Sequence, residues 1–170
     1  FLRTASGGQV AIDPARWILT IQCSGGSAPR DPARGPPLTV TLDLADPKGK
    51  ELFGRIVAKS DIVIENFRTD VPAKLGLSDE WLRAQNEQII VVGMAGLGKT
   101  GPDANAMGYG PIIEQMSGLT ALSGYGDDGI PMKTGISYGD PIAGLGAAAA
   151  ALTALIQRRK TSKGQYIDLS

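Results

Sequence analysis

Two places in the 170-residue sequence carry residue types and spacings suited to chemistry. The first is Gly93, followed at the required interval by Gly98, Lys99 and Thr100, which fits the phosphate-cradling P-loop pattern letter for letter. The second is Asp140 followed by Pro141, a carboxylate at an expected helix start, where the dipole keeps it ionised and free amide donors could hold a developing oxyanion. The chain has no histidine, so a Ser-His-Asp triad cannot be assembled within it, and the commonest metal ligand is missing. No metal site is expected. Acid-base or nucleophilic work falls to Asp, Glu, Lys, Tyr, Ser or the single cysteine, Cys23.

The P-loop match fails on its context. A P-loop needs a helix opening at its lysine-threonine end. Here Gly101 and Pro102 follow directly, the residue before a proline is disfavoured in helical geometry, and no helical apolar stripe is expected until after Pro111. A glycine-rich loop closing a strand is the better reading. Asp140-Pro141 has its own ordinary explanation, because Asp before Pro is a common capping pair and Asp46-Pro47 repeats it.

These residues need elements to position them. Asp46 reads as an N-cap and Pro47 as the first residue of a helix whose core face is Leu52, Phe53, Ile56 and Val57. Leu38 to Leu42 alternates as a half-buried strand does, and Trp17 to Ile21 is a further possible strand. Ile62 to Ile64 reads as a short buried strand, 70–75 as a short helix stopped by Gly76, and Ser78 as the cap of another helix. Ile89 to Val92 is the next strand, followed by a glycine-rich loop over 93–110 and a helix over 111–122. A long alanine-rich helix is expected from Asp140 to about Arg159, with Gly146 to Ala151 buried and closely packed, and a strand over 165–169. The alternation predicts an α/β fold, an open and mostly parallel Rossmann-like sheet with flanking helices.

Seventeen basic residues balance seventeen acidic ones, so neither nucleic acid nor an anionic membrane is favoured as a partner. The longest apolar run, 147–156, is too short to span a bilayer. One cysteine fits a reducing compartment, and the expected location is cytoplasmic. Both ends read as cut, which suggests a piece of a longer chain. Residues 1–37 form an irregular segment, and 38–170 an incomplete large domain.

Six segments, in order, resemble the class III coenzyme A transferases, the family of formyl-CoA and carnitine-CoA transferases. They are Thr41 to Leu44 with Asp46 to Gly49; Ser60 to Arg68 running on to Lys74 and Gly76; Gly96 to Pro102; Gly108-Tyr109 with Met116 to Leu119; Gly139-Asp140 leading to Ala143-Gly144; and Thr161 to Asp168. In the third, Lys99 stands where the family usually has Gln. The resemblance implies a Rossmann-like large domain within an interlocked dimer. It also implies transfer of coenzyme A between an acyl-CoA and a carboxylic acid acceptor, with CoA as substrate and no permanently bound cofactor. Asp140 matches the aspartate that attacks the thioester and passes through an aspartyl-CoA intermediate.

The same carry-over places CoA contacts at Leu42, Asp43, Leu44 and Ala45, at Asn66, Phe67, Arg68 and Lys74, and at Met107, Gly108, Tyr109 and Gly110. An amide at Asn66, an adenine-packing ring at Phe67 and two phosphate-offsetting cations suit that ligand. Leu42 reads as core first and contact second. The sequence departs from the family in lacking the lysines that some formyl-CoA transferases carry at Ala45 and Met107, and the acidic residue usual at Gly110. An α-methylacyl-CoA racemase would need a histidine at Tyr109, so transfer is preferred to racemisation. A catalytically inactive CoA-binding member is the main alternative.

Overall fold

The computed structural model describes residues 42–125 and 129–170. The strand expected over 38–42 (Leu42 apart), the possible strand over 17–21 and the irregular segment 1–37 lie outside the described residues. The chain divides between Ser60 and Asp61 into two compact units.

In the first unit, α1 (Pro47–Val57) begins as its sequence requires. Asp46 has extended backbone angles, and its carboxylate accepts the Lys48 N–H at 2.7 Å. Pro47 occupies the first helical position, where its missing N–H costs nothing. Phe53 and Val57, one turn apart, are buried. Leu52, expected on the same face, is exposed. One residue of helix turns about 100°, which carries it off the narrow buried stripe.

The second unit is a three-stranded parallel sheet with helices. Its strands are β1 (Ile62–Glu65), β2 (Ile90–Gly93) and β3 (Gln165–Asp168), in spatial order β1-β2-β3. Ile62 pairs with Ile90, and Ile90 with Gln165. The central strand is buried along its whole length, the state that a continuous Ile-Val-Val run predicts. β1 is less covered than expected, because Ile64 is exposed. Helices α2 (Asp70–Lys74) and α3 (Asp79–Gln85) lie between β1 and β2 in the chain. Ser78 caps α3 by accepting the Trp81 N–H at 3.2 Å, and Asp79 and Glu80 fill its first turn.

The segment expected as one helix over 111–122 is two: α4 (Gly110–Met116) and α5 (Leu119–Leu122). The break falls at Gly118, whose φ of +80° belongs to the left-handed region that glycine adopts without steric cost.

The long helix α6 runs over Gly139–Thr161, starting one residue before the expected Asp140. Tyr138 stands at the N-cap, so Pro141 is the third helical residue and not the first. Ala147, Ala151 and Ala154 form a buried stripe that packs on Ile90 and Val92 of β2, with Ile62, Ile167 and Leu169 alongside. Small side chains let the helix lie close to the strand. Only this stripe is buried; Ala148 and Ala149 face outward, which narrows the expected buried face. The last turn is tied to the sheet's amino edge by Arg158, which donates to the Asp61 carboxylate at 2.7 Å and to the Gln88 carbonyl at 3.2 Å. Taken over its 23 residues, α6 is long and apolar enough to cross a membrane, which the shorter apolar run had not suggested. Its alanine stripe is nevertheless in contact with the sheet.

Candidate active site

The carboxyl ends of the parallel strands, where open α/β sheets bind ligands, gather several of the singled-out residues. β1 ends at Glu65, whose carboxylate accepts the Phe67 N–H at 2.8 Å and the Tyr166 hydroxyl at 3.3 Å. This fixes the turn that carries Asn66, Phe67 and Arg68. Burial, and then the neighbouring Glu65 charge, push the Tyr166 hydroxyl pKa well above its ordinary value. The Lys99 ammonium lies 3.7 Å from the centre of the Tyr166 ring, and the Lys99 N–H donates to Asp168 at 2.9 Å. No helix follows Thr100 until α4, so the phosphate cradle of a P-loop is not formed.

Asn66 and Arg68 are exposed and Phe67 is half-buried. Arg68 grips Asp70 with two donors, at 2.6 and 2.7 Å, and Lys74 reaches the same carboxylate at 2.6 Å. Hydrogen bonds from Arg68 and then Lys74 hold the Asp70 carboxyl far below the usual range. Two cations share one anion, so the group retains one net positive charge on an exposed surface. Arg68 and Lys74 thus converge on Asp70.

A second cluster forms where α4 and α6 begin. The loop after β2 reaches it by a close backbone approach: a Cβ on Gly108 would lie 2.7 Å from the Gly96 Cα. The Thr69 hydroxyl donates to the carbonyl of Gly98 in that same loop at 3.2 Å, linking it to the Asn66–Arg68 turn. Met107 and Tyr109 are exposed, and Tyr109 is the N-cap residue of α4. Gly110 then sits against the start of α6. A Cβ there would stand 2.5 Å from Ser137 Cβ and 3.4 Å from Asp140 Oδ1.

Asp140 is in the first turn of α6, exposed, with its N–H donating to the Ser137 carbonyl at 3.1 Å. Among the described residues, none donates a hydrogen bond to its carboxylate. The structure therefore brings Gly110 and Asp140 together, with Gly108 and Tyr109 preceding Gly110 in the same loop.

Leu42, Asp43, Leu44 and Ala45 belong to the first unit. Leu42 and Leu44 are buried, Ala45 is exposed, and the Asp43 carboxylate accepts the Ala45 N–H at 3.0 Å. The burial of Leu42 agrees with the expectation that it is core first.

One residue that sequence reasoning passed over is Glu114 in α4, only 2% exposed and the sole buried charged residue among the described ones. Its carboxylate accepts the Tyr138 N–H at 2.7 Å on one oxygen and meets the Thr134 hydroxyl at 3.0 Å on the other. The available signal was a charged residue inside the apolar run Ile112-Ile113-Glu114, one turn beyond Gly110.

This combination, a parallel α/β sheet with an exposed carboxylate at a helix start beside a glycine-rich loop, agrees with comparisons to known proteins. The sequence profile of CoA-transferase family III matches residues 9–170, and the chain belongs to that family. It is 40% identical over 131 residues to a succinyl-CoA–D-citramalate CoA-transferase of Chloroflexus aurantiacus, covering 77% of this chain and 32% of that one. It is 39% identical over 132 residues to a succinate–glutarate CoA-transferase of Agrobacterium fabrum, covering 78% of this chain and 33% of that one. Among solved structures, a CAIB/BAIF family protein from Brucella suis superposes with a TM-score of 0.72 at 41% identity, over 77% of this chain and 34% of that one. The chain thus spans about a third of the length of the curated relatives it matches.

Proposed function

We propose that this chain carries the nucleophile of a CoA-transferase that moves coenzyme A between an acyl-CoA and a carboxylic acid. The observation that carries the reading is Asp140, an exposed first-turn carboxylate with no donor on it among the described residues, standing beside the side-chain-free backbone of Gly110. The helix dipole favours its ionised form. An Asp140 oxygen attacks the thioester carbonyl, the C–S bond breaks, and a mixed anhydride and CoA thiolate result. The thiolate attacks the aspartyl carbonyl, the donor leaves as its carboxylate, and aspartyl-CoA remains. The acceptor carboxylate attacks this thioester and frees the thiolate again. The thiolate then takes the acceptor's acyl carbon, and Asp140 is restored. Anhydride and thioester are of comparable reactivity, so neither direction is a trap.

Arg68, Lys74 and Asn66 suit the polar parts of CoA, with Phe67 available to the adenine and the 107–110 loop to the reacting end. The assignment of Leu42, Asp43, Leu44 and Ala45 to CoA rests on the family resemblance alone. Relatives named for succinyl-CoA and for succinate–glutarate exchange favour a dicarboxylic acyl group. We further propose that the full-length protein is a cytoplasmic homodimer; the row of exposed apolar side chains along α6 (Ile142, Leu145, Leu152, Ile156) supports an apolar partner surface. Sedimentation of the full-length protein tests that assembly.

The test of the chemistry is hydroxylamine trapping with a panel of acyl-CoA thioesters, succinyl-CoA first, followed by peptide mass mapping. An acyl-CoA-dependent hydroxamate at Asp140 is expected. Turnover by Asp140→Asn at the wild-type rate would sink the assignment.

A further inference from the structure

Glu114 is a carboxylate in an expensive place. Burying an ionisable group without compensation is costly, and among the described residues Glu114 forms no ion pair. Its compensation comes from the segment leading into α6. One oxygen takes the N–H of Tyr138, the N-cap residue of α6, at 2.7 Å. The other meets the hydroxyl of Thr134 at 3.0 Å, and that hydroxyl also lies against the Ile136 carbonyl. Within α4, Gly110 and Glu114 are four residues apart and share a face. That face touches the start of α6 twice: at Gly110, against Ser137 and Asp140, and at Glu114, against Thr134 and Tyr138.

Tyr138 gives α6 no side-chain cap, and its own N–H is held from outside the helix by Glu114. Two residues later comes Asp140. The Glu114 contact therefore sets where the first turn of α6 begins and where the Asp140 carboxylate stands relative to the 107–110 loop.

We infer that Glu114 is a positioning residue for Asp140, acting through the Tyr138 N–H and the Thr134 hydroxyl to hold the first turn of α6 against α4. This rests on Asp140 being the nucleophile. Glu114 touches no substrate; its effect travels through the backbone. Glutamine should replace it well. The amide oxygen would accept the Tyr138 N–H, and the amide N–H would donate to Thr134, leaving the single Thr134 hydroxyl hydrogen for the Ile136 carbonyl. Alanine can do neither, and it leaves a buried N–H without a partner.

The experiment uses the protein in its full natural polypeptide and four forms: wild type, Glu114→Gln, Glu114→Ala and Thr134→Val. Two readouts are taken: single-turnover trapping of Asp140 with succinyl-CoA and hydroxylamine, and amide hydrogen exchange at Tyr138. For Glu114→Ala, the single-turnover trapping rate at saturating succinyl-CoA should fall about 100-fold, the cost of a misplacement near 1 Å. Tyr138 exchange should quicken about tenfold or more, the loss of one strong hydrogen bond. Glu114→Gln should restore most of both. Thr134→Val should show a smaller loss in the same direction.

Trapping and exchange both unchanged in Glu114→Ala overturn the inference. So does a Glu114→Gln protein as impaired as the alanine form, which would make charge rather than position the requirement. Should Glu114→Ala not fold, Thr134→Val decides: wild-type trapping and exchange in that variant overturn the inference. A wild type that traps nothing at Asp140 while Tyr138 exchange still responds to Glu114→Ala overturns the nucleophile assignment and leaves Glu114 a purely structural clamp. The two failures are thus told apart.

Discussion

Asp46-Pro47 at the start of α1 and Asp140-Pro141 at the start of α6 carry the same two residue types in the same order. In α1 the aspartate is the N-cap. Its backbone is extended, its carboxylate holds the Lys48 N–H, and the proline follows at the first helical position. In α6 the helix has already begun at Gly139, the N-cap is Tyr138, and Asp140 lies inside the first turn with no donor on its carboxylate among the described residues. One carboxylate is occupied by its own helix. The other feels the same helix-end field but has no donor on it among those residues, and the N–H of its cap residue, Tyr138, is held by Glu114 from another element. A shift of two positions relative to the cap separates a capping aspartate from the one proposed as nucleophile.

The largest expected effect breaks that comparison at its reactive end. Asp140→Asn keeps the shape and removes the proposed nucleophile, so on that proposal CoA transfer should fall by about 10³-fold or more, with acyl-CoA binding retained, as kinetics and direct binding would read. Asp46→Asn should leave transfer untouched. An equal loss from both would mean that the two aspartates play one structural part.

Next comes Gly110→Ala. Its Cβ would fall 2.5 Å from Ser137 Cβ, a distance that packed atoms do not tolerate, so the start of α6 must move. Transfer should drop about 100-fold through misplacement of Asp140, with the thermal midpoint lowered as well. Full activity in this variant would show that the 110–140 approach has no bearing on the chemistry. Smaller again is Asp46→Ala, which removes a cap and should cost about 1 kcal/mol in denaturant unfolding without changing kcat.

The two aspartates also show what a sequence can reveal by itself. Caps such as Ser78 and Asp46 were legible because donor and acceptor lie within three residues. β1 and β2 were legible from their Ile-Val runs, and the parallel alternation from the spacing of strands and helices. Failures came where a distant or conformational fact decides. Gly118 splits the expected helix by adopting a positive φ that an apolar stripe conceals. The α6 start lies earlier than Asp140-Pro141 alone suggests, and the N–H of its cap residue Tyr138 is bound by Glu114, 24 positions earlier. Glu114 went unread for the same reason: its partners lie 20 and 24 residues away. Asp140 stood out from Asp46 only through the ordered set of motifs around it, since their local signals are alike.

The smallest effect concerns cations that share an anion. Asp70 holds both Arg68 and Lys74, and its carboxyl is depressed far below the ordinary value by their hydrogen bonds, Arg68 first. A carboxyl depressed in the folded state contributes stability above its unfolded pKa, about 3.9, and that contribution is lost as pH falls through the folded value. The group therefore stays ionised, and keeps both cations partly neutralised, throughout any neutral assay. Asp70→Asn should release that hold. If Arg68 and Lys74 meet the phosphates of CoA, the variant should bind CoA slightly more tightly, with a steeper loss on added salt, because exposed charges are screened. Titration calorimetry at two ionic strengths reads both. Unchanged affinity at low salt would instead make Arg68, Asp70 and Lys74 a surface ion cluster that stabilises α2, and would move the search for phosphate contacts elsewhere.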